Sequence, residues 1–223
     1  MASLDRDPQD PPASIDAPSA LPAGWRPRAI AFDAFGTLVE IGDKHRPYNR
    51  FSSLARTTRD AVDPLVTDLS MADWARSVGG DGTNLALAEA ELAAELAAEL
   101  AAEVASVRLR DWIASAWPRI RETGLPFAVC SNLATPYGPP LLAVLPEAPE
   151  AVVLSYEVGL RKPDPAIYAL VARRLGVAPS GILFVGDTRT ADYDGPRAAG
   201  MQALPVAAFE KTWPSVLGVT PQP

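Results

Sequence analysis

The most constraining feature of this chain is an alternation of short apolar runs with helical stretches from about residue 112 onward. Phe127–Ser131, Ala151–Ser155, Ile182–Val185 and Met201–Val206 are apolar runs of strand length. Between them, Trp112–Glu122, Tyr137–Leu145, Pro163–Leu175 and the stretch running to about Ala199 read as helices, with Gly124, Gly176 and Gly200 as stops. Strand and helix in regular alternation fit a parallel sheet with helices on both faces. An earlier run, Ala29–Phe32, ends in Asp33 and is followed by Gly36 and Thr37. An acid at the end of a buried strand is not a core residue, because an unpaired buried carboxylate is costly. Open parallel sheets bind ligands in the crevice outside the carboxyl ends of their strands, and that is where Asp33 is expected.

Four strand ends, or the segments just after them, carry polar chemistry: Asp33, then Ser131-Asn132, then Arg161-Lys162-Pro163-Asp164, then Gly186-Asp187 with Asp192 five residues on. Their chemistry is complementary. Asp33 is a candidate nucleophile. Ser131, with backbone amides, can hold an anionic group. Lys162 can neutralise negative charge near the nucleophile. Asp33 and Asp187 offer hard oxygen ligands suited to Mg²⁺.

This set resembles the haloacid dehalogenase superfamily of hydrolases. The resemblance rests on Phe32-Asp33-Ala34-Phe35-Gly36-Thr37-Leu38, Cys130-Ser131-Asn132, Lys162-Pro163-Asp164-Pro165-Ala166-Ile167-Tyr168 and Val185-Gly186-Asp187-Thr188-Arg189-Thr190-Ala191-Asp192, in that order. It implies an α/β fold, a Rossmann-like parallel sheet core with a small, mostly helical cap inserted after the first motif. It also implies Asp33, Ser131, Lys162 and Thr37 as catalytic residues and Asn132 and Gly36 as substrate-binding residues. Mg²⁺ would be held by Asp33, the Phe35 carbonyl, Asp187 and Asp192. The expected division is an arm over 1–27, a core over 28–40 and 111–210, a cap over 41–110 and a tail over 211–223.

One position departs from the family pattern. Phosphatases of this superfamily usually carry a second aspartate two residues after the nucleophile, as proton donor to the leaving group. Phe35 stands there instead and transfers no proton, a loss that typically costs about 10²–10⁴ in rate. An aromatic at this place resembles the dehalogenases, which use no metal, whereas Gly186-Asp187 resembles the metal-dependent members. Three readings follow: a Mg²⁺-dependent hydrolase acting on a phosphorylated molecule with a good leaving group, a 2-haloacid dehalogenase, or a catalytically weak binding or regulatory protein.

Composition bounds the partners. Across 223 residues, 20 basic against 27 acidic residues give a net charge of −7, which opposes non-specific binding to nucleic acid or anionic lipid. A small anionic substrate needs only a local positive site. The single cysteine, Cys130, allows no internal disulfide and fits a reducing compartment. The proline-rich, acidic N-terminus does not read as a signal peptide, and the expected location is cytoplasmic, as a monomer or homodimer.

The remaining residues carry plainer expectations. The segment 41–80 reads as helical, with Phe51, Leu54, Val62, Leu65, Leu69 and Trp74 as anchors and Arg46, Arg50, Arg56 and Arg59 as available cations. Leu85 to about Arg110 reads as one helix. Within it Glu91, Glu95, Glu99 and Glu103 recur every four residues and read as a solvated face. His45 reads as solvated, Cys130 as inert packing, Trp112 and Trp117 as core, Asp164 as a helix cap, Tyr168 as packing and Asp194 as helix surface.

Overall fold

The structure, a computed structural model, describes residues 21–47, 65 and 85–219, with 85–93 described by backbone path. The arm up to residue 20, the anchors Phe51, Leu54, Val62, Leu69 and Trp74, the arginines Arg50, Arg56 and Arg59, and the 78–84 loop lie outside the described residues.

Five strands form the central sheet: β1 (Ala29–Phe32), β4 (Phe127–Ser131), β5 (Ala151–Leu154), β6 (Ile182–Gly186) and β7 (Gln202–Pro205). They lie in the order β5-β4-β1-β6-β7 and all neighbours run parallel. The fold is therefore α/β. Strand order reverses at β1, which places the ligand crevice at the C-terminal ends of β1 and its neighbours β4 and β6.

Side chains alternate across β1. Ile30 and Phe32 enter one core, while Ala29 and Ala31 enter the other, as a period of two requires. On the first face the sheet meets helices α2 (Asp111–Glu122) and α7 (Val206–Leu217), through Ile113, Trp117, Ile120 and Phe209. On the second it meets α5 (Pro165–Leu175), through Ile167, Tyr168, Val171 and Ala172. Phe32, Phe127, Phe184 and Phe209 are all fully buried, each contributing about 1.5–3 kcal/mol relative to exposure. Asp164 caps α5 by accepting the Ala166 N–H at 2.8 Å, and Gly176 ends that helix at φ 65°, as expected. Tyr168 and Trp117 are buried, and Trp112 is half-buried with its ring edge-on to Phe209.

Three local expectations are corrected. The long helix α1 spans Leu85–Ala105 and stops short of Arg110. Val107–Leu109 instead forms strand β3, which pairs antiparallel with β2 (Val39–Ile41). This two-stranded sheet lies where the chain leaves and re-enters the core. The chain between Pro205 and Gly218 reads as the end of a strand and a tail, yet α7 occupies it, with Pro214 inside the helix. Finally, the glutamates of α1 do not share one solvated face: Glu95 is exposed, Glu99 half-buried and Glu103 fully buried. A four-residue repeat drifts about 40° per step on a 3.6-residue helix, so twelve residues turn the last glutamate well away from the first.

The smaller helices are α3 (Gly138–Val144), α4 (Ser155–Val158), which follows β5 directly, and α6 (Gly195–Ala198), with a wide turn over Arg189–Asp194 before α6. No described helix is long and apolar enough to cross a membrane.

Candidate active site

Asp33 leaves β1 at the reversal point. Its backbone N–H donates to the Val185 carbonyl at 2.9 Å, so the ladder with β6 continues to the edge. Gly36 then takes φ 81°, a left-handed conformation that glycine adopts without penalty. A Cβ at Gly36 would stand 2.0 Å from Asp187 Oδ2. The loop therefore needs glycine twice, for its backbone angle and for its contact with Asp187. Gly186 is equally constrained, since a Cβ there would meet Asp192 at 2.4 Å.

Lys162 joins the parts. Its Nζ donates to Asp33 Oδ1 at 2.7 Å and to Asp192 Oδ1 at 2.6 Å. Ser131, at the end of β4, donates its hydroxyl to the same Asp33 oxygen at 3.1 Å. Both of these bonds fall on Oδ1 and leave Oδ2 to face other partners. Asp192 Oδ2 accepts the Thr188 N–H at 2.9 Å, and the Thr188 hydroxyl donates to Asp187 Oδ1 at 3.1 Å.

Asp33, Asp187 and Asp192 each present a carboxylate oxygen, and these oxygens lie within 4.8 Å of one another. All three residues are buried. Burial, with the charges of Asp33 and Asp192, pushes the Asp187 carboxyl up to about 7. Burial also raises Asp192, to about 6, against the pull of Lys162. For Lys162, burial opposes its charge, but Asp192 and Asp33 outweigh it and hold the ammonium well above the usual lysine range. Three carboxylates around one ammonium leave a deficit of positive charge. A hard dication suits that deficit and the all-oxygen donor set.

The sequence-expected residues take distinct places. Asp33, Ser131, Lys162, Asp187 and Asp192 come together. Gly36 touches Asp187. Thr37 is fully buried, and its hydroxyl has no hydrogen-bond partner among the described residues. The side chain of Asn132 turns to the protein: Nδ2 donates to the Lys162 carbonyl and Oδ1 accepts the Lys162 N–H, both at 2.8 Å. This clamp fixes the backbone from which the Lys162 side chain rises. Phe35 is half-buried, with its ring edge-on to Tyr137 at 5.7 Å. No carboxylate occupies that position. Cys130 is buried and its thiol is pushed up to about 12, by burial first, so it is inert packing. Asp194 is exposed and pairs with Arg189 at 2.9 Å.

Two residues near the site escape sequence reasoning. Arg110, just after β3, donates from its guanidinium to the Gly36 carbonyl. Ser155 ties its hydroxyl to both the N–H and the carbonyl of Leu133, bracing the segment after β4. Arg110 carries no local signal, because its partner is 74 residues away.

The chain is similar to known proteins in sequence and in fold. Residues 27–200 match the family described as haloacid dehalogenase-like hydrolases. A 94-residue segment is 38% identical to phosphoglycolate phosphatase of Escherichia coli K12, covering 41% of this chain and 37% of that protein. An 85-residue segment is 39% identical to glyceraldehyde 3-phosphate phosphatase of Methanopyrus kandleri, covering 37% and 36%. The chain thus spans little more than a third of the length of these curated relatives. Structural likeness extends further. An HAD family enzyme of Bacteroides thetaiotaomicron, solved with magnesium and inorganic phosphate, aligns with a TM-score of 0.55 at 15% identity, covering 82% of this chain and 94% of that one. A 2-haloacid dehalogenase of Pseudomonas syringae aligns with a TM-score of 0.54 at 20% identity, covering 79% and 85%. At such identities the likeness establishes the fold.

Proposed function

The chain belongs to the haloacid dehalogenase-like hydrolases, and from that premise we propose that it is a Mg²⁺-dependent hydrolase of small phosphorylated substrates, with Asp33 as nucleophile. The observation that carries this reading is the cluster of Asp33, Asp187 and Asp192 oxygens within 4.8 Å, in which Lys162 pairs with both Asp33 and Asp192. Local identity to two phosphatases of small phosphorylated molecules supports the substrate class.

In this reading Asp33, Asp187, Asp192 and the Phe35 carbonyl hold the metal. When bound, Mg²⁺ offsets the repulsion between the carboxylates and an incoming phosphate. Lys162 and Ser131 anchor one oxygen of Asp33 and orient the other toward the phosphorus, which favours in-line attack. The Lys162 ammonium also counters charge on the transferred phosphoryl group. Asn132 acts by holding the Lys162 backbone. We infer that substrate choice falls to the segment between β2 and β3, where the sequence leads to the expectation of a cap.

Phe35 sets the chemistry apart. It supplies no proton to a leaving alkoxide, so substrates whose leaving group needs little protonation, such as acyl phosphates, are favoured. The same residue favours a second reading, a 2-haloacid dehalogenase, because halide leaves unprotonated. A panel of phosphate esters, acyl phosphates and 2-haloacids, each assayed with and without Mg²⁺, separates the two. Metal-dependent phosphate release supports the first reading. Metal-independent turnover of 2-chloropropionate supports the second and overturns the first.

A further inference from the structure

Glu103, fully buried near the end of α1, meets donors from two distant parts of the chain. Its Oε1 accepts the backbone N–H groups of His45 at 2.7 Å and Arg46 at 2.8 Å. Successive N–H groups converge on one anion when the backbone curls into a nest. Arg46, at φ 58°, is the one non-glycine residue with positive φ among the described residues. Such a conformation is strained and persists where its surroundings hold it. The other oxygen, Oε2, accepts the Tyr137 hydroxyl at 2.5 Å. Charge-assisted bonds of this kind are about twice as strong as neutral ones.

Tyr137 carries the link onward. It is buried, and its ring stands edge-on to Phe35 with an interplanar angle of 78°. Phe35 lies in the loop between Asp33 and β2, where it bridges to Val39. One carboxylate therefore ties the outgoing segment after β2, the returning helix α1, the segment after β4 and, through one aromatic contact, the loop of the nucleophile. An edge-on aromatic pair contributes beyond the area it buries. The pair involves Phe35, the position that departs from the family pattern.

We propose that Glu103 is a positioning residue which, acting through Tyr137, sets where Phe35 lies and so orders the loop carrying Asp33. The inference concerns the order of this loop and does not require the reaction assigned above.

The test compares the full chain with Glu103→Gln, Tyr137→Phe and the double variant. Glu103→Gln keeps a carbonyl for the N–H groups of His45 and Arg46 but loses the anion. Tyr137→Phe keeps the ring against Phe35 and loses only the hydroxyl. Backbone amide exchange is read in peptides covering 33–39 and 43–47. Each single variant is expected to speed exchange in 33–39 by about 3–10-fold, and the double variant to add little, because both changes break one link. With phosphatase activity in hand, kcat should fall about 3–10-fold while KM changes less than about 2-fold. Exchange in 33–39 equal to wild type in Tyr137→Phe overturns the proposal, even where 43–47 speeds up in Glu103→Gln. Absence of phosphatase activity in the wild type counts against the assigned reaction alone, and the exchange measurement still decides this one.

Discussion

The Lys162 ammonium lies 2.7 Å from Asp33 Oδ1, and both side chains are nearly sealed from solvent, at 2% and 9% exposure. A buried lysine keeps its charge only where anions hold it, and here Asp192 and Asp33 do so. Removing the ammonium leaves three buried carboxylates with no cation beside them. Lys162→Met should therefore destabilise the metal-free protein by about 3–5 kcal/mol and lower turnover by at least about 100-fold. Urea denaturation with and without Mg²⁺ checks the first figure, and the loss should shrink when metal is present. Equal stability in the two proteins would show that the ammonium does not offset these charges.

The raised carboxyls of Asp187 and Asp192 make a pH prediction. Their folded-state values, about 7 and about 6, lie above the ordinary 3.8, so the metal-free fold binds protons that the unfolded chain releases. The stability this gives is complete below about pH 4 and is lost as pH rises through about 6–7. A cation competes with those same protons. The rise in melting temperature on adding Mg²⁺ should therefore grow between about pH 5 and about pH 8. Asp187→Asn should flatten that dependence, and thermal melts across the range measure it.

Gly36→Ala tests the contact with Asp187. The new Cβ would begin 2.0 Å from Asp187 Oδ2, at a φ of 81°. Backbone strain alone costs about 1–2 kcal/mol, and Asp187 must move as well. Activity should drop by more than about 100-fold, with weaker Mg²⁺ binding by calorimetry and a fold that persists by circular dichroism. Wild-type metal affinity in this variant would mean that Asp187 is not a ligand.

Asn132→Ala separates substrate binding from support of Lys162. With both amide atoms engaged on the Lys162 backbone at 2.8 Å, the variant should lower kcat by about 10-fold and leave KM nearly unchanged. A rise in KM at constant kcat would instead assign the side chain to the substrate.

Phe35→Asp restores the proton donor that the superfamily pattern supplies. The Phe35 ring is half-buried beside Tyr137, so the substitution gives up an aromatic contact worth about 0.5–1.5 kcal/mol. Hydrolysis of simple phosphate monoesters should rise by about 10-fold or more, while acyl phosphates gain little. Equal rates for both classes before and after substitution, with the fold intact, would show that leaving-group protonation does not limit the reaction.

Much of this site was legible because its signals are local. A strand that ends in Asp33, and another that ends in Gly186-Asp187, declare both their structure and their chemistry within a few residues. The parallel sheet follows from the same alternation. What escaped depends on distant partners. The three-residue strands β2 and β3 are separated by 65 residues of chain and carry no local pairing pattern. The helix over Val206–Leu217 is masked by Pro205 and Pro214, which read as breakers although Phe209 anchors the helix in the core. Glu103 looks like three other glutamates until its partners, His45, Arg46 and Tyr137, are brought to it by the fold.

Asp33 as a metal-dependent nucleophile is tested by phosphate release from an acyl phosphate by the wild type and by Asp33→Asn, each with Mg²⁺ and with excess chelator. The wild type should release phosphate in Mg²⁺ only, and Asp33→Asn should lose at least about 1,000-fold. Release that survives either the chelator or the Asp33→Asn substitution would contradict that role.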